Sequence, residues 1–231
     1  MNEKSPLIST IMPVYNCGRY LDNAIGSVLI QSHSPVEVIV IDSSDDQSAG
    51  YAKKYPQVRY FFQEKCGLSA ALNKGLDLAT GDYLAFLDAD DAWAADKLTL
   101  QMEALKRDPS LDAVFGHHRR FLSEELAGLP GQMRIDEEKV LPAPFKGAML
   151  IRRESFFRVG LFDTRLKLGD FIDWYKRATE AGLKFLMLPE VVLIRRIHDD
   201  NTSVRDRSAE KDYVRIMKAA LDRKREKEAG K

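Results

Sequence analysis

The chain has 231 residues, 45% of them hydrophobic, which suffices for one large domain with a buried core and excludes a disordered chain. Lys and Arg together number 35, as do Asp and Glu, so no overall field favours nucleic acid or an anionic membrane as the main partner. Cys17 and Cys66 lack metal or redox spacing and are predicted to be free thiols. Without a leader pattern or an apolar run of roughly 20 residues, we expect a cytoplasmic protein with no transmembrane segment.

The first hundred residues alternate short β-branched runs with helical patterns. Strands are predicted at Leu7–Val14, Val36–Ile41, Val58–Phe62 and Tyr83–Leu87, with helices around Leu21–Leu29, Ser69–Ala79 and Asp96–Lys106. This alternation predicts an α/β fold with a Rossmann-like, mostly parallel central sheet flanked by helices. Ligands of such sheets bind beyond the carboxyl ends of the strands.

The regular alternation fades after Pro109. We predict a strand at Ala113–Leu122, a long loop at Ser123–Pro144, a strand at Lys146–Ile151, a helix at Asp170–Ala181, a strand at Phe185–Leu188 and a charged helix at Ser208–Lys231. Basic side chains in the last helix could contact an anionic membrane surface, but the acids among them favour a solvated packing helix.

Three carboxylates follow the buried strand at Tyr83–Leu87: Asp88, Asp90 and Asp91. Like charges this close repel one another, so a cation or several hydrogen-bond donors should lie among them. Alternation along an extended segment points Asp88 and Asp90 to the same side, which suits a hard divalent ion. The alternative is that these acids cap a helix beginning near Ala94.

Polar residues also follow the first two strands. Tyr15 and Asn16 come after Pro13 and Val14, and Asp42 begins a run of serine and aspartate. In a parallel sheet these loops lie beside the acidic cluster, where they offer an aromatic face, carboxylates and a metal site to a nucleotide. Each also has an ordinary interpretation, since Asp42 could start a helix and Tyr15 could be a core or turn residue.

Several ordered motifs within residues 8–104 resemble the family 2 glycosyltransferases of the GT-A fold. They are Pro13-Val14-Tyr15-Asn16, Val38-Ile39-Val40-Ile41-Asp42, Gly67-Leu68-Ser69-Ala70-Ala71-Leu72-Asn73-Lys74-Gly75, Ala79-Thr80-Gly81-Asp82 and Phe86-Leu87-Asp88-Ala89-Asp90-Asp91. The sequence departs from the family at Ser43-Ser44, where Asp-Gly is frequent, and at Leu72, where Arg is common. The resemblance implies transfer of a sugar from a nucleoside-diphosphate sugar, usually a UDP-sugar.

The resemblance also implies the residues of a donor site. The region around Tyr15 and Asp42 would hold the base, Asp88 would contact the ribose or a metal-bound water, and Asp90 would ligate Mg²⁺ or Mn²⁺. The residues that we assign to nucleotide-sugar binding on this basis are Pro13, Tyr15, Asn16, Asp42, Asn73, Asp88 and Arg196.

An inverting transfer also needs a general base for the acceptor hydroxyl. Asp170 and Asp173 share one face of a helix, and Trp174 offers a flat surface for an acceptor sugar. The segment resembles the family's Gly-Glu-Asp-x-Asp motif, with Phe171 where a second acid often stands. Asp170 is the first candidate and Asp173 the second; the alternative is that Asp170 caps the helix and Asp173 is solvated.

The segment Arg195–Ser203 resembles the family's closing segment, which folds over the diphosphate. His198 is a candidate third metal ligand beside Asp90 and Asp88, and Arg196 a candidate neutraliser of the leaving group. His117 and His118 lack a spaced partner and are interpreted as strand or surface residues rather than a zinc site.

These residues divide the chain into a donor-binding subregion at 1–109, an acceptor-binding and catalytic subregion at 110–207, and a C-terminal helix at 208–231. The acceptor is a glycan, a lipid-linked sugar or another hydroxyl compound, at the inner face of the membrane if the tail binds there. A pyrophosphorylase would need a more glycine-rich loop after the first strand, and a dehydrogenase would need GxGxxG there. A degenerate nucleotide-sugar-binding module is the third alternative, supported by the departures at Leu72 and Phe171.

Overall fold

The computed structural model describes residues 5–126, 135–199 and 210–229. Its strands are β1 (Ile8–Val14), β2 (Val36–Asp42), β3 (Val58–Phe62), β4 (Tyr83–Phe86), β5 (Ala92–Trp93), β6 (Ala113–Leu122), β7 (Leu141–Pro142), β8 (Leu150–Arg152) and β9 (Phe185–Ile197). Its helices are α1 (Gly18–Leu29), α2 (Ser48–Ala52), α3 (Leu68–Leu78), α4 (Lys97–Arg107), α5 (Arg153–Val159), α6 (Asp170–Glu180) and α7 (Glu210–Ala229).

One sheet joins the strands in the order β3-β2-β1-β4-β8-β6-β9-β5, with β7 beside β6. The first four strands of this order are parallel, which confirms the predicted α/β sheet. β8 is antiparallel to both β4 and β6, while β6 and β9 are parallel. The carboxyl ends of β1, β2 and β4 therefore lie side by side, as the sequence predicts.

Apolar side chains cover both faces of the sheet. One core includes Leu21 and Ile25 of α1 with Met102 of α4, and the other includes Leu76 of α3 with Trp174 of α6. Hydrophobic cores thus pack against both faces of the sheet.

Two predictions about the second half need correction. The strand expected at Lys146–Ile151 begins with a 3₁₀ turn at Lys146–Ala148 and becomes β8 only at Leu150. The strand expected to end at Leu188 continues to Ile197, because the ladder with β6 tolerates a bulge between Phe115 and His117. The sequence reasoning also missed α2, α5, β5 and β7. Residues 127–134 of the predicted loop lie outside the described residues.

Helix α7 packs against α6, as predicted for the tail. Ile216 is buried, and Arg223 pairs with Glu180 at 2.7 Å. The Asp212 carboxylate accepts hydrogen bonds from the backbone N–H groups of Lys167 (2.9 Å) and Leu168 (3.3 Å). The tail thereby fixes the loop that leads into α6. No helix within the described ranges is long and apolar enough to cross a membrane.

Close packing of α3 on β1 depends on Gly75, because a Cβ atom there would overlap the Ile11 side chain. We expect Gly75→Ala to lower the free energy of unfolding by about 1 kcal/mol or more, since overpacking outweighs the gain in helix propensity. Gly26 in α1 is the matched control, because a Cβ there meets nothing within 4 Å. Gly26→Ala should raise stability by about 0.5–1 kcal/mol in the same urea titration; equal effects of the two changes would contradict this account.

Candidate active site

The acidic turn at 88–91 connects β4 to the two-residue strand β5, which pairs with Leu193 and Ile194 of β9. This pairing extends β9 past the turn and brings Arg195, Arg196 and His198 against it. Helix α4 begins only at Lys97, with Asp96 at its N-cap. The interpretation of the acidic cluster as a cap for this helix is therefore wrong.

Each carboxylate of the turn has a different partner. Both oxygens of Asp88 contact the Lys146 ammonium, at 3.0 and 3.1 Å. Asp90 Oδ2 lies 3.0 Å from His198 Nε2, and Asp91 Oδ1 accepts the backbone N–H of Arg196 at 3.0 Å. The predicted repulsion among the acids is therefore offset by one donor or cation per acid.

Burial governs the ionisation of two groups around this turn. Asp91 is buried, and burial followed by the neighbouring Asp90 and Asp88 charges raises its pKa well above the usual value. Burial, followed by the same two neighbouring acids, also raises the pKa of the Cys17 thiol to about 12. Cys17 is thus a neutral thiol facing the acidic turn, and both cysteines are free, as predicted.

The pair formed by Asp90 and His198 fits a divalent cation. Neighbouring ligands of an octahedral ion at about 2.1 Å lie about 3.0 Å apart, which is the separation of these two atoms. Within the described ranges no three His, Cys, Asp or Glu side chains converge as a ligand set. Asp88 pairs with Lys146, and its role as a third ligand stays a prediction. Asp90 and His198 would leave the other positions of a bound ion to phosphate oxygens and water, the usual arrangement for Mg²⁺.

Arg196 holds the turn from the side of β9. Its guanidinium lies 4.5 Å from the ring centroids of both Tyr20 and Phe121, and its Nε donates to the Asp90 carbonyl at 3.2 Å. The guanidinium therefore positions the backbone of Asp90, while its contact with a diphosphate stays a prediction. Residues 200–203 of the predicted closing segment lie outside the described residues.

The predicted base-binding residues lie at the ends of β1 and β2. Tyr15 and Asn16 are exposed, and Lys65 lies over the Tyr15 ring with its ammonium 4.2 Å from the centroid. Asp42 is buried; its carboxylate accepts hydrogen bonds from Tyr60 Oη (3.0 Å) and the Ser44 N–H (2.9 Å). Tyr15 therefore presents an exposed ring at this end, and the contacts of Tyr15, Asn16 and Asp42 with a base stay predictions.

Internal contacts engage the other residues predicted to bind the donor. Pro13 is a buried residue of β1 opposite Ile41. The Asn73 side chain donates to the Phe162 carbonyl at 2.9 Å and accepts the Phe162 N–H at 3.1 Å. Both residues shape the surroundings of the site, and their predicted contacts with the donor stay predictions.

Trp174 has no accessible face for a sugar. The side chain is fully buried, and its ring stacks on Phe156 at 4.7 Å between centroids. Its Nε1 donates to the Gly160 carbonyl at 2.9 Å. The structure therefore corrects the prediction that Trp174 binds the acceptor.

The two candidate bases differ in their surroundings. Asp173 pairs with Arg177 at 2.8 Å, and the same guanidinium also donates to two backbone carbonyls. Asp170 is buried, and its Oδ2 has no hydrogen-bond partner. Gly169, with φ 79°, is the N-cap of α6, so Asp170 does not have the capping role considered as an alternative. Asp170 is therefore the less engaged of the two carboxylates, and its role as the base stays a prediction.

Lys146 is the site residue that sequence reasoning missed. Burial disfavours its charge, but Asp88, Asp170 and Asp91 outweigh that effect and raise the pKa of Lys146 above its usual value. It therefore carries a positive charge next to both the acidic turn and the candidate base. The available signal was a single lysine at the start of an otherwise apolar run, Gly147–Ile151.

The predicted interpretation of His117 and His118 as strand residues agrees with their position in β6. His117 Nδ1 lies 2.6 Å from the Leu188 carbonyl, and His118 is buried. Neither belongs to a cluster of metal-binding side chains in the described part of the chain.

Solved structures of known enzymes share this architecture. S. aureus TarS in complex with UDP-GlcNAc matches with a TM-score of 0.71 and 16% identity over 92% of this chain and 65% of that chain. A mannosyltransferase from Pyrobaculum calidifontis in complex with GDP-Man and Mn²⁺ matches with a TM-score of 0.65 and 22% identity, covering 87% and 60% of the two chains. The fold is therefore the GT-A fold of glycosyltransferases, as predicted.

Sequence comparison gives the family. The model of glycosyl transferase family 2 matches residues 9–166. An uncharacterised glycosyltransferase of Rickettsia typhi is 30% identical over 216 residues, covering 87% of this chain and 67% of that relative. Chondroitin synthase of Escherichia coli is 26% identical over 234 residues, covering 96% of this chain and 33% of that enzyme. The chain belongs to glycosyl transferase family 2 and is a glycosyltransferase.

Proposed function

We propose that the protein transfers a sugar, with inversion, from a nucleoside-diphosphate sugar to an acceptor hydroxyl with the help of Mn²⁺ or Mg²⁺. The observation that carries this proposal is the ion pair between the Lys146 ammonium and Asp88 of the acidic turn, because the same ammonium also interacts with the buried Asp170 carboxylate. Lys146 would thereby connect the turn that carries the Asp90–His198 pair with the proposed base.

Each half would have its own task. Asp90 and His198 would hold the divalent ion, which would supply positive charge to the donor diphosphate. Asp170 would take the proton of the acceptor hydroxyl as that oxygen bonds to the anomeric carbon. The bond from the anomeric carbon to the diphosphate breaks in the same step, and the nucleoside diphosphate departs with the electron pair.

UDP is the nucleotide that we propose. The TarS complexes with UDP and UDP-GlcNAc support it, while the mannosyltransferase complex with GDP-Man makes GDP the alternative to test. The exposed Tyr15 ring at the end of β1 suits stacking with either base.

The departures from the family pattern do not favour a degenerate binding module. Leu72 is fully buried, and Phe171 packs beside Phe115 with ring centroids 6.3 Å apart. Both positions thus belong to the hydrophobic core, and the residues proposed for chemistry are intact.

Contact of α7 with a membrane surface stays a proposal of its own: Val214, Met217 and Leu221 are exposed on that helix.

A screen of donor hydrolysis tests the class, the metal and the donor together. The purified protein would be incubated with UDP- and GDP-sugars and with Mn²⁺, Mg²⁺ or EDTA, and the released nucleotide measured. We expect slow, metal-dependent release of a nucleoside diphosphate from at least one donor. Release of pyrophosphate would instead identify a pyrophosphorylase, and nucleotide binding without hydrolysis or transfer to any acceptor would identify a binding module.

A further inference from the structure

Lys146 contacts the acidic turn and interacts with the proposed base. Its ammonium contacts both oxygens of Asp88, and the charge of the Asp170 carboxylate also stabilises it. The side chain is only 12% exposed. An ammonium has three N–H donors, of which the two Asp88 oxygens engage two. One donor thus remains for a ligand.

The backbone next to Lys146 is fixed by three buried side chains. The carbonyls of residues 147–149 accept hydrogen bonds from Trp93 Nε1 (2.9 Å), Gln101 Nε2 (2.8 Å) and Lys97 Nζ (3.3 Å), in that order. Burial lowers the pKa of Lys97 well below its usual value. Buried polar groups cost stability unless they are hydrogen-bonded, so three of them on consecutive carbonyls make a specific and rigid support. The support ends one residue from Lys146.

We propose that Lys146 binds the transferred sugar by donating a hydrogen bond to one of its hydroxyls, with Trp93, Lys97 and Gln101 as its positioning residues. This inference rests on the proposed function. The sugar must lie between the departing diphosphate and the acceptor oxygen, and Lys146 is a cation that contacts the turn proposed to hold the donor and interacts with the proposed base.

The charges around Lys146 also define the class of sugar. The charge of this ammonium is already engaged by Asp88, which it contacts through both oxygens, and by the nearby Asp170. A sugar carboxylate would enter surroundings that are already negative. The donor sugar is therefore a neutral hexose or N-acetylhexosamine rather than a uronic acid.

Binding measurements on the intact protein test this assignment. Calorimetry with Mn²⁺ would compare wild type, Lys146→Met and Lys146→Arg against UDP, UDP-glucose, UDP-N-acetylglucosamine and UDP-glucuronic acid, with GDP and GDP-mannose alongside. Lys146→Met should bind the free nucleotide within about twofold of wild type and the neutral sugar donors roughly tenfold more weakly, as expected for a lost charge-assisted hydrogen bond. Lys146→Arg should recover part of the loss, and wild type should bind UDP-glucuronic acid most weakly of the three UDP-sugars.

Lys54→Met is the matched control, because Lys54 is an exposed lysine that pairs with Asp22 away from the site. It should change none of these affinities. If Lys146→Met weakens the binding of free nucleotide and of sugar donor equally, the proposed contact between Lys146 and the sugar is wrong. An unchanged affinity for the sugar donor would also overturn it. Preference for UDP-glucuronic acid would overturn the sugar class. A wild-type protein that binds no nucleotide at all would instead refute the proposed function, and this inference with it.

The positioning residues have a separate readout. Lys97→Met keeps the volume of a fully buried side chain and removes its hydrogen bonds to Met149 and Gln101. It should raise KM for the neutral sugar donor while leaving the affinity for free nucleotide unchanged. Combined with Lys146→Met, it should add no further loss in donor affinity. If the losses in donor affinity of the two variants add up, or if Lys97→Met weakens the binding of UDP and of UDP-glucose equally, Lys97 does not position Lys146 and serves stability alone.

Discussion

Replacing Asp90 with alanine should reduce donor turnover by at least about a hundredfold, because the change removes one of the two protein ligands proposed for the divalent ion. The Asp90 carboxylate lies 3.0 Å from His198 Nε2, and the partner side chain is itself buried. His198→Ala should therefore cause a loss of similar size. Since the two side chains act on one ion, the double variant should be little worse than either single variant.

Direct metal binding separates this role from a structural one. Electron paramagnetic resonance of Mn²⁺ in the presence of UDP should show weaker binding for both single variants, at unchanged thermal stability. Asp77→Ala is the control, because Asp77 is an exposed acid of α3 away from the strand ends. A folded Asp90→Ala protein with wild-type turnover and Mn²⁺ affinity would rule out the metal role.

The first half of the fold and the place of the donor site follow from the sequence because the information there is local. Periodicity locates β1, β2 and β4, and the rule that parallel strands share one ligand-binding edge brings Tyr15, Asp42 and Asp88 together. The observed helices begin and end within one residue of the ranges predicted for α3, α4 and α6.

The partners of the acids depend on contacts between distant parts of the chain. Asp88 meets Lys146 across 58 positions, and Asp90 meets His198 across 108. The first pairing depends on the 3₁₀ turn before β8, which pairs with β4. The second requires β9 to continue past Pro189 and to pair with β5. Neither short strands nor bulges have a clear periodic signal. Local pattern could therefore predict that the acids need partners, without naming them.

Trp174 illustrates a different limit. Helical spacing relates its position to those of Asp170 and Asp173, but spacing does not say which direction faces the core. In the fold its ring lies among Phe156, Phe162 and Phe171. An aromatic side chain next to a catalytic motif can thus belong to the hydrophobic core under the helix just as well as to a ligand site.

The two acids of α6 should respond differently to the same isosteric change. We expect Asp170→Asn to lower kcat by about a hundredfold to ten-thousandfold, the usual contribution of a general base, while the affinity for UDP with Mn²⁺ stays within about twofold. The reason is that Asp170 Oδ2 accepts no hydrogen bond within the described part of the chain, whereas the Asp173 carboxylate is engaged by Arg177.

Asp173→Asn is the matched comparison one turn away. Asp173 is engaged by Arg177 at 2.8 Å, so its change should cost about 1–3 kcal/mol of stability and leave kcat within about tenfold of wild type. Steady-state kinetics and urea unfolding would give kcat and the free energy of unfolding for each variant. If the folded Asp173→Asn protein loses turnover while Asp170→Asn keeps it, the base is Asp173 and Asp170 only balances the charge of Lys146; if both variants keep wild-type turnover, neither acid is the base.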